Sequence, residues 1–114
     1  MMFTVKFQGM KVGMTSLEKG DPPMGVALGM IEPICVVEDA LGKPLNSEKG
    51  IKGWEGLEVY IADDQKLECQ SAYLEQFDFE KGKLVYQISC LGIYRPLYEV
   101  LFPHHIETYD SSFT

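Results

Sequence analysis

The chain has 114 residues, 46% of them hydrophobic, and 17 acids against 10 bases give it a formal charge of −7 and a pI near 4.7. That length suits one hydrophobic core and is short for two ordinary domains, while the acidity opposes attraction to phosphate backbones and anionic lipid and so argues against direct nucleic-acid or membrane binding. Lys6 and Gln8 interrupt what would be the apolar stretch of a secretion signal, and no run reaches membrane-spanning length, so the expected location is the cytoplasm.

Phe3, Val5 and Phe7 alternate with Thr4, Lys6 and Gln8, and after a turn near Gly9 the alternation resumes through Val12 and Met14, which predicts a half-buried β-hairpin. Ser16 could cap one helical turn through Lys19, which Gly20, Pro22 and Pro23 would stop. Gly25 to Val37 is almost continuously apolar with β-branched members and reads as a central strand bent at Gly29 and Pro33. From Glu38 to Gly56 glycine, proline and asparagine predominate as punctuation, predicting a long surface loop from which Trp54 folds back onto the core.

Leu57, Val59 and Ile61 alternate with Glu58 and Tyr60, and beyond a polar turn Lys66 to Cys69 completes a second hairpin. Ser71 to Gln76 fits no single period. Phe77 and Phe79 flank Asp78, and Leu84, Tyr86 and Ile88 alternate after the EKGK turn, predicting a third hairpin with Gly82 at its tip. Pro96 and Pro103 each fit the first position of a short helix, the second carrying Ile106, Tyr109 and Phe113 on one face. The expected fold is α+β: a mainly antiparallel sheet of about six strands with two short C-terminal helices, residues 1–114 forming a single domain.

The charge is regional. Between Glu55 and Glu80 eight carboxylates (Glu55, Glu58, Asp63, Asp64, Glu68, Glu75, Asp78, Glu80) face one base, Lys66, leaving nine acids against nine bases elsewhere. Such an excess costs stability through self-repulsion, and it can steer a cationic partner. A solvated, aggregation-resistant sheet edge is the competing reading, though that role is commonly met by lysine or mixed charges. The expected function is therefore a small acidic, non-enzymatic protein docking a basic protein surface, analogous in general manner to immunity or inhibitor proteins. Glu58, Asp63, Asp64, Glu68, Glu75 and Asp78 would supply the field, and Tyr60 or Tyr73 the anchors. No cofactor is implied.

The alternative is a small enzyme or metal-binding protein using His104, His105 and Cys90. His104 and Glu107, three apart on a helix, could share a face, yet they supply only two ligands, fewer than a zinc site needs. Cys35, Cys69 and Cys90 are spaced unlike metal ligands or a disulfide framework, and their apolar surroundings suit reduced, slowly reacting thiols. Gly20 to Gly29 (GDPPMGVALG) lacks the pattern of a phosphate loop and reads as a proline-set turn entering a buried strand. Asp63 and Asp64 lack the surroundings of a calcium-binding hand.

Overall fold

The computed structural model describes residues 2–45, 51–62, 65–78 and 82–111. The strands are β1 (Phe3–Phe7), β2 (Met10–Thr15), β3 (Lys19–Asp21), β4 (Val26–Pro33), β5 (Ile51–Trp54), β6 (Leu57–Ala62), β7 (Gln65–Lys66), β8 (Ser71–Asp78) and β9 (Leu84–Leu91). The helices are α1 (Val37–Leu41), α2 (Arg95–Leu101) and α3 (Pro103–Ser111), and a single 3-10 turn spans Pro22–Met24. All strand pairings are antiparallel, in the order β5-β8-β9-β4-β2-β1-β6-β7, with β3 also on β4. The α+β expectation holds, but the sheet has nine strands among the described residues rather than about six. No helix among them is long and apolar enough to cross a membrane.

The three expected hairpins form, but not with every predicted face: a register shift between Val5 and Lys6 breaks the alternation of β2 and leaves Met14 exposed, and Phe77 lies on the side of β8 away from Leu74. Phe3, Val5, Val12, Leu57 and Val59 point inward from β1, β2 and β6, and Ala72, Leu74, Ile88 and Cys90 point inward from β8 and β9. Trp54 joins this core, and its indole N–H donates to the Gly42 carbonyl at 2.9 Å. The loop expected over Glu38 to Gly56 is interrupted, because it carries most of α1 and all of β5.

The helical turn expected after Ser16 is instead a bulge. Met14 pairs with Glu32 and Lys19 with Leu28, so four residues of one strand oppose three of β4. Leu17 takes up the extra length with φ of 47° and drives its side chain into the core. Glu18 then fills the break in the ladder. One carboxylate oxygen accepts the Met30 N–H at 2.9 Å, and the other accepts the Ser16 hydroxyl at 3.0 Å.

Partial burial opposes ionisation of Glu18, but the Met30 N–H, its own N–H, the Ser16 hydroxyl and Lys19 together hold it below the ordinary carboxylate value of 4.5. A carboxylate whose pKa falls on folding stabilises the fold above its unfolded value and loses that contribution as pH drops through the folded one. Glu18→Gln is therefore expected to be less stable than the parent at pH 7, by about 0.5–1 kcal/mol given its solvent exposure. Urea midpoints of the two proteins should converge as pH falls below 4.5. A difference that persisted in acid would assign the cost to the amide's geometry instead.

The sheet also curls on itself. β5 lies at one end of the strand order and β6 next to the other, yet only Glu55 and Gly56 separate Trp54 from Leu57. A two-residue link brings the two ends together, and Gly56 makes the corner with φ of 78°. β6 and β8 are thus neighbours without a shared ladder, and the side chains between them leave a seam.

Candidate functional site

The seam opens as a hollow of about 460 Å³ walled by Glu55, Glu58, Lys66, Gln70, Ser71 and Tyr73. A second hollow of about 210 Å³ adjoins it, formed by Leu45, Ile51, Trp54, Glu55, Tyr73 and Glu75. Glu55 and Tyr73 belong to both, so Tyr73 stands as the ridge between them. β5 covers β8 only from Leu74 to Phe77, so among the described residues no strand pairs with Ser71–Tyr73 on the side away from β9. The floor carries apolar area as well, since Leu45 is 70% exposed.

Three of the sequence-predicted residues meet here: Glu58, Tyr73 and Glu75, joined by Glu55. Glu58 is already ion-paired with Lys66 at 3.1 Å, which reduces the field. Tyr60 points to the outer side of β6, where the Lys6 ammonium lies 4.4 Å from its ring centroid. That face of Tyr60 is occupied from within the chain, which leaves Tyr73 as the anchor in the seam. Glu68 and Asp78 are exposed, but they lie toward opposite ends of β8, whose eight residues span roughly 25 Å. Asp63 and Asp64 lie outside the described residues.

A larger open groove of about 740 Å³ includes Met14, Met30 and Ile34. Its wall mixes Lys11 and Lys83 with Glu18 and Glu32, and none of the predicted site residues lines it. Size alone does not select it.

His104, His105 and Cys90 are not assembled into one site. His104 is exposed. His105 is buried beneath β3, with Nε2 2.8 Å from the Leu17 carbonyl and Nδ1 2.8 Å from the Tyr98 hydroxyl, which also lies 2.8 Å from the Val26 carbonyl. His105 is thus tied to a distant part of the chain, its Leu17 partner being 88 residues away. Burial lowers its pKa below the ordinary 6.5, with the His104 charge adding and the Leu17 carbonyl opposing. Cys90 pairs with Ala27, which pairs with Gly20 above His105, so two strand spacings, roughly 9.5 Å, separate them along the sheet. Among the described residues no group of three or more His, Cys, Asp or Glu side chains could hold a metal ion.

Cys90 and the half-buried Cys69 are close enough to influence each other's ionisation, a proximity not visible from their spacing in the chain. Comparison with protein-family models, curated proteins and solved structures finds no match to this chain.

Proposed function

We propose that the protein is a non-catalytic recognition module whose seam docks a basic, extended segment of a protein partner. The supporting observation is the arrangement of Glu55, Glu58 and Glu75 around the Tyr73 ridge, beside an uncovered stretch of the β8 edge. A lysine or arginine entering the larger hollow meets Glu55 and competes with Lys66 for Glu58, while its alkyl stem and apolar neighbours lie over Tyr73, Leu45 and Ile51. Main-chain groups of such a segment can extend the sheet along Ser71–Tyr73.

Lys66 makes the reading testable by opposite signs. The partner is first captured from the native source at low salt and identified by what elutes as salt rises. Glu55→Gln with Glu75→Gln should then slow its association about tenfold at low salt and flatten the salt dependence, whereas Lys66→Gln should strengthen binding. Neutralising the exposed Asp39 and Glu107 together serves as the control for net charge. Equal losses from both acidic sets, with no gain from Lys66→Gln, would reject docking at the seam.

A further inference from the structure

Cys69 and Cys90 flank one backbone hydrogen bond of an antiparallel pair, and both pack against the core. Cys90 is fixed on β9 between Ala27 of β4 and Ala72 of β8 and is fully buried. Cys69 lies in the link between β7 and β8, where the Leu67 N–H donates to the Val59 carbonyl at 2.7 Å and the Gln70 N–H donates to the Leu91 carbonyl at 2.8 Å. The residue after each cysteine is therefore bonded to the residue after the other. The two side chains are close enough to influence each other's ionisation. Both thiols are reduced in this structure, and only Cys69 of the two is partly exposed.

We infer that Cys69 and Cys90 are a redox-active pair that closes reversibly to an intramolecular disulfide, with a hydroperoxide as oxidant. The roles follow from exposure and charge. The neighbouring Cys90 thiol, the nearby Lys66 ammonium and the Ser71 N–H outweigh the burial that opposes ionisation and bring Cys69 down to about 7, so it is the thiolate that attacks. The neighbouring Cys69 sulfur, burial and the Cys69 negative charge all push Cys90 up. It resolves rather than initiates.

In the first step the Cys69 thiolate attacks one oxygen of hydrogen peroxide; an S–O bond forms, the O–O bond breaks, and hydroxide leaves to take up the proton that Cys69 had released. Cys69 is now a neutral sulfenic acid, so the charge that held the proton on Cys90 is gone. The Cys90 sulfur then attacks the Cys69 sulfur; the S–S bond forms, the S–O bond breaks, and the hydroxyl departs as water with the Cys90 proton. Two thiols lose two electrons in total, and the peroxide is reduced to two waters. A dithiol reductant reverses the closure by exchange. The pair lies behind Gln70, Ser71 and Ala72 of the seam wall, but its chemistry does not depend on what the seam binds.

The test is limited hydrogen peroxide treatment of the whole chain, followed by non-reducing peptide mapping. The expected result is loss of two of the three free thiols, a Cys69–Cys90 cross-linked peptide in monomeric protein, and full recovery with dithiothreitol. Cys35→Ser should behave as the parent, and Cys90→Ser should accumulate Cys69 sulfenic acid that dimedone traps. Oxidation confined to Cys35, cross-links only between chains, or equal dimedone labelling of Cys69 in the parent and Cys90→Ser would overturn the inference. The parent and Cys35→Ser measurements decide it even if Cys90→Ser folds poorly.

Discussion

Gly20→Ala is expected to destabilise the fold by about 3 kcal/mol, with a thermal midpoint lower by roughly 10 °C. Gly20 is on the exposed strand β3, where alanine would ordinarily change stability by about 0.5 kcal/mol or less. Its inner side is different. An added Cβ would collide with the Tyr98 hydroxyl and His105 Nδ1 and come within 2.7 Å of the Val26 carbonyl. The collision displaces the hydroxyl and imidazole that tie the C-terminal helices to the strands, so a steric cost of about 1–3 kcal/mol adds to that of weakened buried hydrogen bonds. Gly53→Ala is the matched control, because an added Cβ there meets nothing closer than 3.9 Å. Thermal melts of the two variants should differ clearly; equal, small shifts would show that the helices adjust at little cost.

Phe102→Ala should cost more, about 3–5 kcal/mol. Phe102 is fully buried between α2 and α3; its ring stacks on His105 at 4.8 Å and lies 5.1 Å from Tyr98 and 5.6 Å from Phe3. Removing it opens a cavity where the helices meet β1, and it takes the stacked face from a buried imidazole. Since a domain of this size has a total stability of about 5–15 kcal/mol, the loss takes a substantial share of it, and the denaturation midpoint should fall clearly. Chemical denaturation followed by circular dichroism checks it. A change below about 1 kcal/mol would mean that the helices contribute little to the core.

What could be read in the sequence was what depends on near neighbours. β1, β6 and β9 show their alternation directly, and Pro103 begins α3 as its fixed φ favours. Pro96 falls at the second rather than the first position of α2, because Arg95 already begins the helix. The strand over Ser71 to Asp78 was obscured because Gln76 occupies an inward position, where its amide donates to the Tyr86 hydroxyl at 2.9 Å. β3 and β5 are three and four residues long and contain glycine, so they resemble turns until β4 and β8 pair with them. His105 offered no local signal, since its burial depends on Leu17 and on the Leu17–Glu18 bulge.

The acidic excess was legible as charge, whereas its distribution was not. Glu58, Tyr73 and Glu75 converge only because the Glu55–Gly56 corner joins the two ends of the sheet. Glu68 and Asp78 stay apart because one precedes β8 and the other ends it. The Cys69–Cys90 proximity likewise needs the β8–β9 register, in which Ala72 pairs with Cys90.

The most direct measurement of docking at the seam is a backbone amide NMR titration of the whole chain with an arginine-rich peptide at low salt, repeated in Lys66→Gln. Shifts should concentrate at Glu55, Glu58, Ser71, Tyr73 and Glu75, saturate, weaken as salt is raised, and tighten in Lys66→Gln. Weak shifts scattered over every exposed carboxylate, unchanged by Lys66→Gln, would contradict docking at the seam.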